Sequence, residues 1–125
     1  MPRGWMVAAA YLAASTAALG TPRAQECAVQ AFESCQACHA LTVGAGQKPG
    51  PQLAGVIGRA IAGDPAFDYS PELRAARDRG EAWTKETLDR FLGDPQAMYP
   101  GTWMGSPPIR DANRRADLLC VLGSR

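Results

Sequence analysis

Cys35-Gln36-Ala37-Cys38-His39 is the stretch on which the reading of this chain turns. Two cysteines separated by two residues, with a histidine directly after the second, form the pattern that attaches c-type haem. The spacing has a physical reason. On a short helical segment, residues three apart project from one side, so both thiols can meet the two vinyl groups on one porphyrin edge. Forming both thioether bonds presses His39 against the haem face, where an imidazole nitrogen can bind iron. Other uses of a Cys-x-x-Cys pair fit less well. A thioredoxin-like dithiol needs a parallel-sheet pattern around it, and none follows. A zinc site needs a second pair of ligands, yet His39 is the only histidine, and Cys27 and Cys120 stand singly and far apart.

Upstream of this motif the chain changes character. A length of 125 residues has room for one domain, and residues 1–24 are not part of it. Arg3 supplies a basic start, Met6 to Leu19 is almost wholly apolar or small, and small residues follow. That apolar run is short of the roughly 20 residues of a membrane span, so a cleaved secretory signal is expected, with the mature domain over 25–125. The cut falls after Gly20 or after Ala24, the latter disfavoured by Pro22. An uncleaved anchor and a lipid on Cys27 are the alternatives, although Ala24-Gln25-Glu26 is a poor lipoprotein signal. Export suits haem attachment, which needs reduced cysteines outside the cytosol; in a bacterium that is the periplasm. Without Arg3 and Arg23, the 13 basic residues fall to 11 against 12 acidic, a polypeptide charge near −1. Nothing in that balance suggests nucleic acid.

Downstream, Gly- and Pro-rich connections separate helical stretches, and no alternating strand pattern appears. Glu26 to Cys35 leads into the motif, with Val29 and Phe32 on one face. Ser70 to Arg79 reads as a shorter helix, capped by Ser70 with Pro71 at its first position. Trp83 to Leu92 has Thr84 as N-cap, Glu86 in the first turn and Leu88, Phe91 and Leu92 at helical spacing; Gly93 and Pro95 end it. Asp111 to Leu122 closes the chain, with Leu118, Leu119 and Leu122 apolar. Long loops lie between, especially Thr42 to Asp68. So few apolar side chains scarcely enclose a core unaided, and a central haem would supply the missing apolar mass.

Taken together, these residues resemble the class I cytochromes c, the soluble monohaem type of bacteria and mitochondria. The matching residues run in unbroken order. After Cys35-x-x-Cys38-His39 come Gly50-Pro51-x-Leu53-x-Gly55-x-x-Gly58-Arg59, Phe67-x-Tyr69-Ser70 and Trp83. Then follow Thr87-Leu88-x-x-Phe91-Leu92-x-Asp94-Pro95, Pro100-Gly101-Thr102-x-Met104 and Ala116-Asp117-Leu118-Leu119. The resemblance implies an all-α fold, with the first and last helices crossing, a covalently bound haem c at the centre and long loops around it. It implies Met104 as the distal iron ligand, a soft thioether that favours ferrous iron. Met98, the other nearby methionine, lacks the Pro-Gly-Thr turn before it. By the same resemblance the Pro51 carbonyl accepts a hydrogen bond from the His39 imidazole, fixing the ring. Arg59, Tyr69, Trp83 and Thr102 match positions that hold the inner haem propionate, a charge costly to bury unpaired. Tyr69 and Trp83 also read as plain core packing, and Arg59 taken alone as a surface charge.

Three departures stand out against that resemblance. Phe91 falls where many relatives place a tyrosine whose hydroxyl bonds the methionine sulfur. Trp103 replaces a lysine common beside the ligand methionine, and with only Lys48 and Lys85 the chain lacks a lysine ring for docking onto acidic partners. Trp103 is then either an apolar docking residue near the haem edge or packing folded over it. Cys27 and Cys120 fall in the two helices that cross in this fold, so an exported protein can hold them in a disulfide; two buried thiols are the alternative. The implied function is not enzymatic, since no nucleophile–base pair or paired carboxylates stand out. It is one-electron carriage between redox proteins: membrane respiratory or photosynthetic complexes, or periplasmic oxidoreductases. The chain is expected to be a monomer without stable membrane insertion once the leader is removed. The competing readings are a haem subunit of a larger oxidoreductase, and a sensor or peroxidase-like protein with a labile sixth ligand.

Overall fold

A computed structural model describes residues 26–125, together with Met1 and Gly4, so the leader expected over 1–24 otherwise lies outside the described residues. A 3₁₀ helix spans Val29–Cys35, and four α-helices follow: α1 (Pro71–Asp78), α2 (Lys85–Gly93), α3 (Pro95–Met98) and α4 (Ala112–Gly123). Among the described residues there is no strand, only one isolated bridge between Ala60 and Ala82.

The helix starts follow their capping chemistry. The Ser70 hydroxyl accepts from the Leu73 amide, with Pro71 in the first turn of α1. Thr84 and Thr87 cap α2 reciprocally, each side chain accepting the other's backbone N–H. Asp111 caps α4 through the amides of Asn113 and Arg114. Helix α3 was not expected: Pro95 does stop α2, but the Asp94 carboxylate accepts from Ala97 N at 3.0 Å and starts a new turn. The N-terminal helix also differs from expectation. It begins three residues later than Glu26, is wound as 3₁₀, and no side chain caps it at Ala28. Phe32 is buried there, whereas Val29 is 50% exposed.

The N-terminal helix packs against α4, α4 against α2, and α2 against α3. A disulfide joins Cys27 to Cys120 with their Cα atoms 5.5 Å apart, across a sequence separation of 93. Arg115 secures the next contact: its Nε donates to Asp89 of α2 at 2.7 Å and its Nη1 to the Ile109 carbonyl at 2.8 Å. Buried Phe32, Leu88, Phe91, Leu92, Leu118, Val121 and Leu122 meet between these helices. Val121, absent from the expected apolar set, is fully buried. The long loop over 42–68 contributes Val56, Ile61 and Ala62 to the same core.

Candidate functional site

The 3₁₀ helix does not stop cleanly at Cys35. The Cys35 carbonyl accepts from both the Cys38 amide at 3.1 Å and the His39 amide at 2.9 Å. One further turn is thereby closed, which brings both thiols to one side and leaves His39 at the end of the turn. Cys35 and Cys38 are free, and both line a cavity of about 620 Å³. That volume lies within the roughly 300–1,000 Å³ of small-molecule and cofactor sites.

The orientation of His39 is set from behind. Its Nδ1 lies 2.8 Å from the Pro51 carbonyl oxygen, an atom that can only accept. Nδ1 therefore carries the proton, and the Nε2 lone pair is left to bind metal. Burial lowers the imidazole pKa, the Pro51 bond opposes that and the Lys48 charge adds to it, a balance that favours the neutral, ligating form. The loop carrying Pro51 is tied to the motif by Gly50 N–H to Cys38 O at 2.8 Å and Leu53 N–H to Ala40 O at 2.8 Å. Lys48 adds donations to the Gln36 and His39 carbonyls. Gly50 has no room for a side chain, since a Cβ there would stand 2.6 Å from His39 Cε1 and 2.9 Å from Cys38 O.

All nine residues expected at the site surround this one cavity: Cys35, Cys38, His39, Pro51, Arg59, Tyr69, Trp83, Thr102 and Met104. Met98 is half-buried on α3 and lies outside the lining. Arg59 is positioned by its guanidinium, which donates to Gln52 O at 2.8 Å and Ala54 O at 3.3 Å. Its Nε is nevertheless buried without a protein partner, as is Thr102 Oγ1, on a side chain only 5% exposed. Two buried donors left over in one apolar cavity suit an anionic group entering with the cofactor, as a haem propionate would. The Tyr69 hydroxyl accepts from Asp64 N at 3.3 Å, and burial raises its pKa, so it stays a protonated donor. The cavity residues fit the expected haem.

Met104 is presented by a built turn. Gln96 of α3 grips both of its sides, accepting from Gly101 N at 3.1 Å and donating to Thr102 O at 2.9 Å. Gly101 has φ +87°, a left-handed backbone that favours glycine, and the Glu72 carboxyl group lies 3.2 Å from where a Cβ would stand. Tyr99, just before the turn, is buried behind the cavity wall, its ring 6.3 Å from Trp83 and 6.0 Å from Phe91 between centroids. Neither Gln96 nor Tyr99 carried a sequence signal. Gln96 is an ordinary surface residue of a helix, and Tyr99 an ordinary apolar one. At the cavity mouth Trp103 is 59% exposed, so it does not fold inward as packing.

No family model matches the chain. Cytochrome c2 of Agrobacterium tumefaciens is 40% identical over 92 residues, 74% of this chain and 83% of that protein. Cytochrome c2 of Rhodomicrobium vannielii is 36% identical over 123 residues, covering 96% of this chain and 92% of its own length. Among solved structures, cytochrome c2 from Rhodospirillum centenum superposes with a TM-score of 0.70 at 31% identity, across 77% of this chain and 92% of that one.

Proposed function

This chain belongs to the class I c-type cytochromes, electron carriers with covalently bound haem c and not enzymes, and from that premise we propose that it carries single electrons in the periplasm with its iron held between His39 and Met104. The observation that carries the proposal is the convergence of His39, on its Pro51 anchor, and Met104, on its Gln96-braced turn, upon one apolar cavity.

When bound, the haem supplies the redox couple, and its potential is tuned by the axial ligands and by burial. The chain's own residues do the rest. Cys35 and Cys38 anchor the cofactor edge. Pro51 fixes the proton on Nδ1 and aims Nε2, which increases the imidazole's basicity as a ligand. Met104 would supply the iron with a thioether, a soft ligand that favours the reduced state. Arg59, Tyr69, Trp83 and Thr102 hold the inner propionate, and the unpartnered donors on Arg59 and Thr102 support that role. Phe32, Leu88, Phe91 and Leu118 exclude water from the pocket.

Residues 1–24 act as a secretory signal that is removed, leaving a mature domain over 25–125. Exposed Trp103 beside Met104, with few lysines in the chain, supports docking onto redox partners through a largely apolar contact.

The test is the optical spectrum of the haem-loaded protein, oxidised and reduced, with carbon monoxide added to the reduced form. A weak far-red band in the oxidised spectrum, lost on reduction, with no carbon monoxide shift, is the expected result. A carbon monoxide shift would instead mean an available sixth position and move the molecule to the sensing or peroxidase-like class.

A further inference from the structure

The segment that carries Met104 is tied to the rest of the molecule by a hydrogen bond from a residue outside the cavity lining. Tyr99 Oη donates to Glu81 Oε2 at 2.7 Å, while Glu81 Oε1 receives Arg79 Nε at 2.6 Å. The anchor itself is fixed at the backbone. Glu81 N–H donates to Ala76 O of α1 at 3.1 Å, and Glu81 O accepts from Ile61 N at 3.0 Å. The tyrosine end is equally constrained: its amide donates to Pro95 O at 2.9 Å, and its carbonyl accepts from Thr102 N at 3.0 Å. A Tyr99 displacement would therefore move Thr102, two residues before Met104.

We propose that Tyr99 is a positioning residue for Met104, with the Tyr99–Glu81 hydrogen bond holding the distal turn in place so that the sixth iron position stays closed to outside ligands. The inference rests on Met104 being that ligand. A thioether is a weak partner for ferric iron, so closure in the oxidised state depends on how firmly the protein holds the sulfur in position. Gln96 braces the turn from within, from the four-residue α3 that runs directly into it. Glu81 belongs to a different part of the chain, between α1 and α2, so the Tyr99 hydrogen bond ties the turn to a separate, backbone-anchored segment. Neither Tyr99 nor Glu81 lines the cavity, so the hydroxyl acts on the site through the turn.

The test uses ferric holoprotein titrated with imidazole, followed by its spectrum, in the wild type and in Tyr99→Phe, Glu81→Ala, Glu81→Gln and the Tyr99→Phe/Glu81→Ala pair. Tyr99→Phe keeps the ring among Trp83 and Phe91 and removes only the donor. Imidazole should bind it about tenfold more tightly, the scale expected when a hydrogen bond to a charged acceptor is lost. Glu81→Ala should match it, the pair should add nothing further, and Glu81→Gln, which keeps an acceptor oxygen, should recover most of the closure. Thermal unfolding of the same proteins separates a merely structural role. A lower unfolding midpoint with unchanged imidazole binding in Tyr99→Phe, in a wild type that shows the far-red band, overturns the inference alone. A wild type lacking that band overturns the Met104 assignment, and the inference with it.

Discussion

At the scale of single residues, the site depends on close approaches that leave no slack. Gly50 lies so near the imidazole that its missing side chain is part of how His39 is aimed. Gly50→Ala should therefore push the ring off the Pro51 carbonyl and destabilise the holoprotein by about 1–3 kcal/mol, the usual cost of overpacking. Guanidinium unfolding measures the loss, and a shifted reduction potential should accompany it. Phe91 is the second case. It lines the cavity with a ring 5.0 Å from Trp83, and it has no donor for the methionine sulfur. Phe91→Tyr should raise the reduction potential, because a hydrogen bond to the sulfur withdraws electron density that the ferric state needs more. An unchanged potential under voltammetry would sink that idea.

At the scale of elements, the terminal helices and the distal turn are secured by specific links. The Cys27–Cys120 disulfide ties the 3₁₀ helix to α4 across most of the described chain. Replacing both cysteines with serine should cost about 2–5 kcal/mol, the range for native disulfides in small exported domains. Titrating the unfolded, unreduced holoprotein should find no free thiol in the wild type. The Tyr99–Glu81 link has a pH signature. Burial first, and then the Glu81 carboxylate, push the Tyr99 hydroxyl up to about 12 against an ordinary 10.0, with Arg79 and Arg90 acting in the opposite direction. A raised folded-state pKa contributes stability that is complete below pH 10 and lost as pH climbs from there towards 12. Tyr99→Phe should lose that alkaline slope. On the acid side Tyr99 first and Arg79 second lower the Glu81 pKa from its ordinary value, so its contribution is complete above that value and is lost as pH falls below it.

At the scale of the molecule, the domain is built around its cofactor space. The helices meet along one set of apolar side chains, and many of those same side chains line the cavity. Haem burial and core formation are thus one process, and removing the cofactor should collapse cooperative unfolding. The outer surface carries nearly balanced charge, and Trp103 projects at the cavity mouth. Electron transfer to its redox partner should depend only weakly on ionic strength, whereas Trp103→Ala should slow it severalfold at any salt. A steep salt dependence, with Trp103→Ala unchanged, would instead indicate charge-steered docking.

The sequence by itself pointed to the cofactor chemistry through Cys35-x-x-Cys38-His39, and its resemblance to the class I cytochromes c singled out six further residues that line the cavity. The clearest of these sit in a local pattern: thiols at helical spacing before a histidine, a proline after a glycine, a methionine just past a Pro-Gly-Thr turn. Helices α1, α2 and α4 were legible for the same reason, since capping and apolar spacing are short-range. Only the tertiary structure decided what depends on segments distant in the chain. The His39–Pro51 bond, which the resemblance implied, closes at 2.8 Å across 12 residues only in the folded chain. The Cys27–Cys120 pairing, the outward turn of Trp103, and the hold of Glu81 on Tyr99 across 18 residues all needed the folded chain. Such contacts join side chains whose partners are set by packing, and packing leaves no periodicity in the sequence to read.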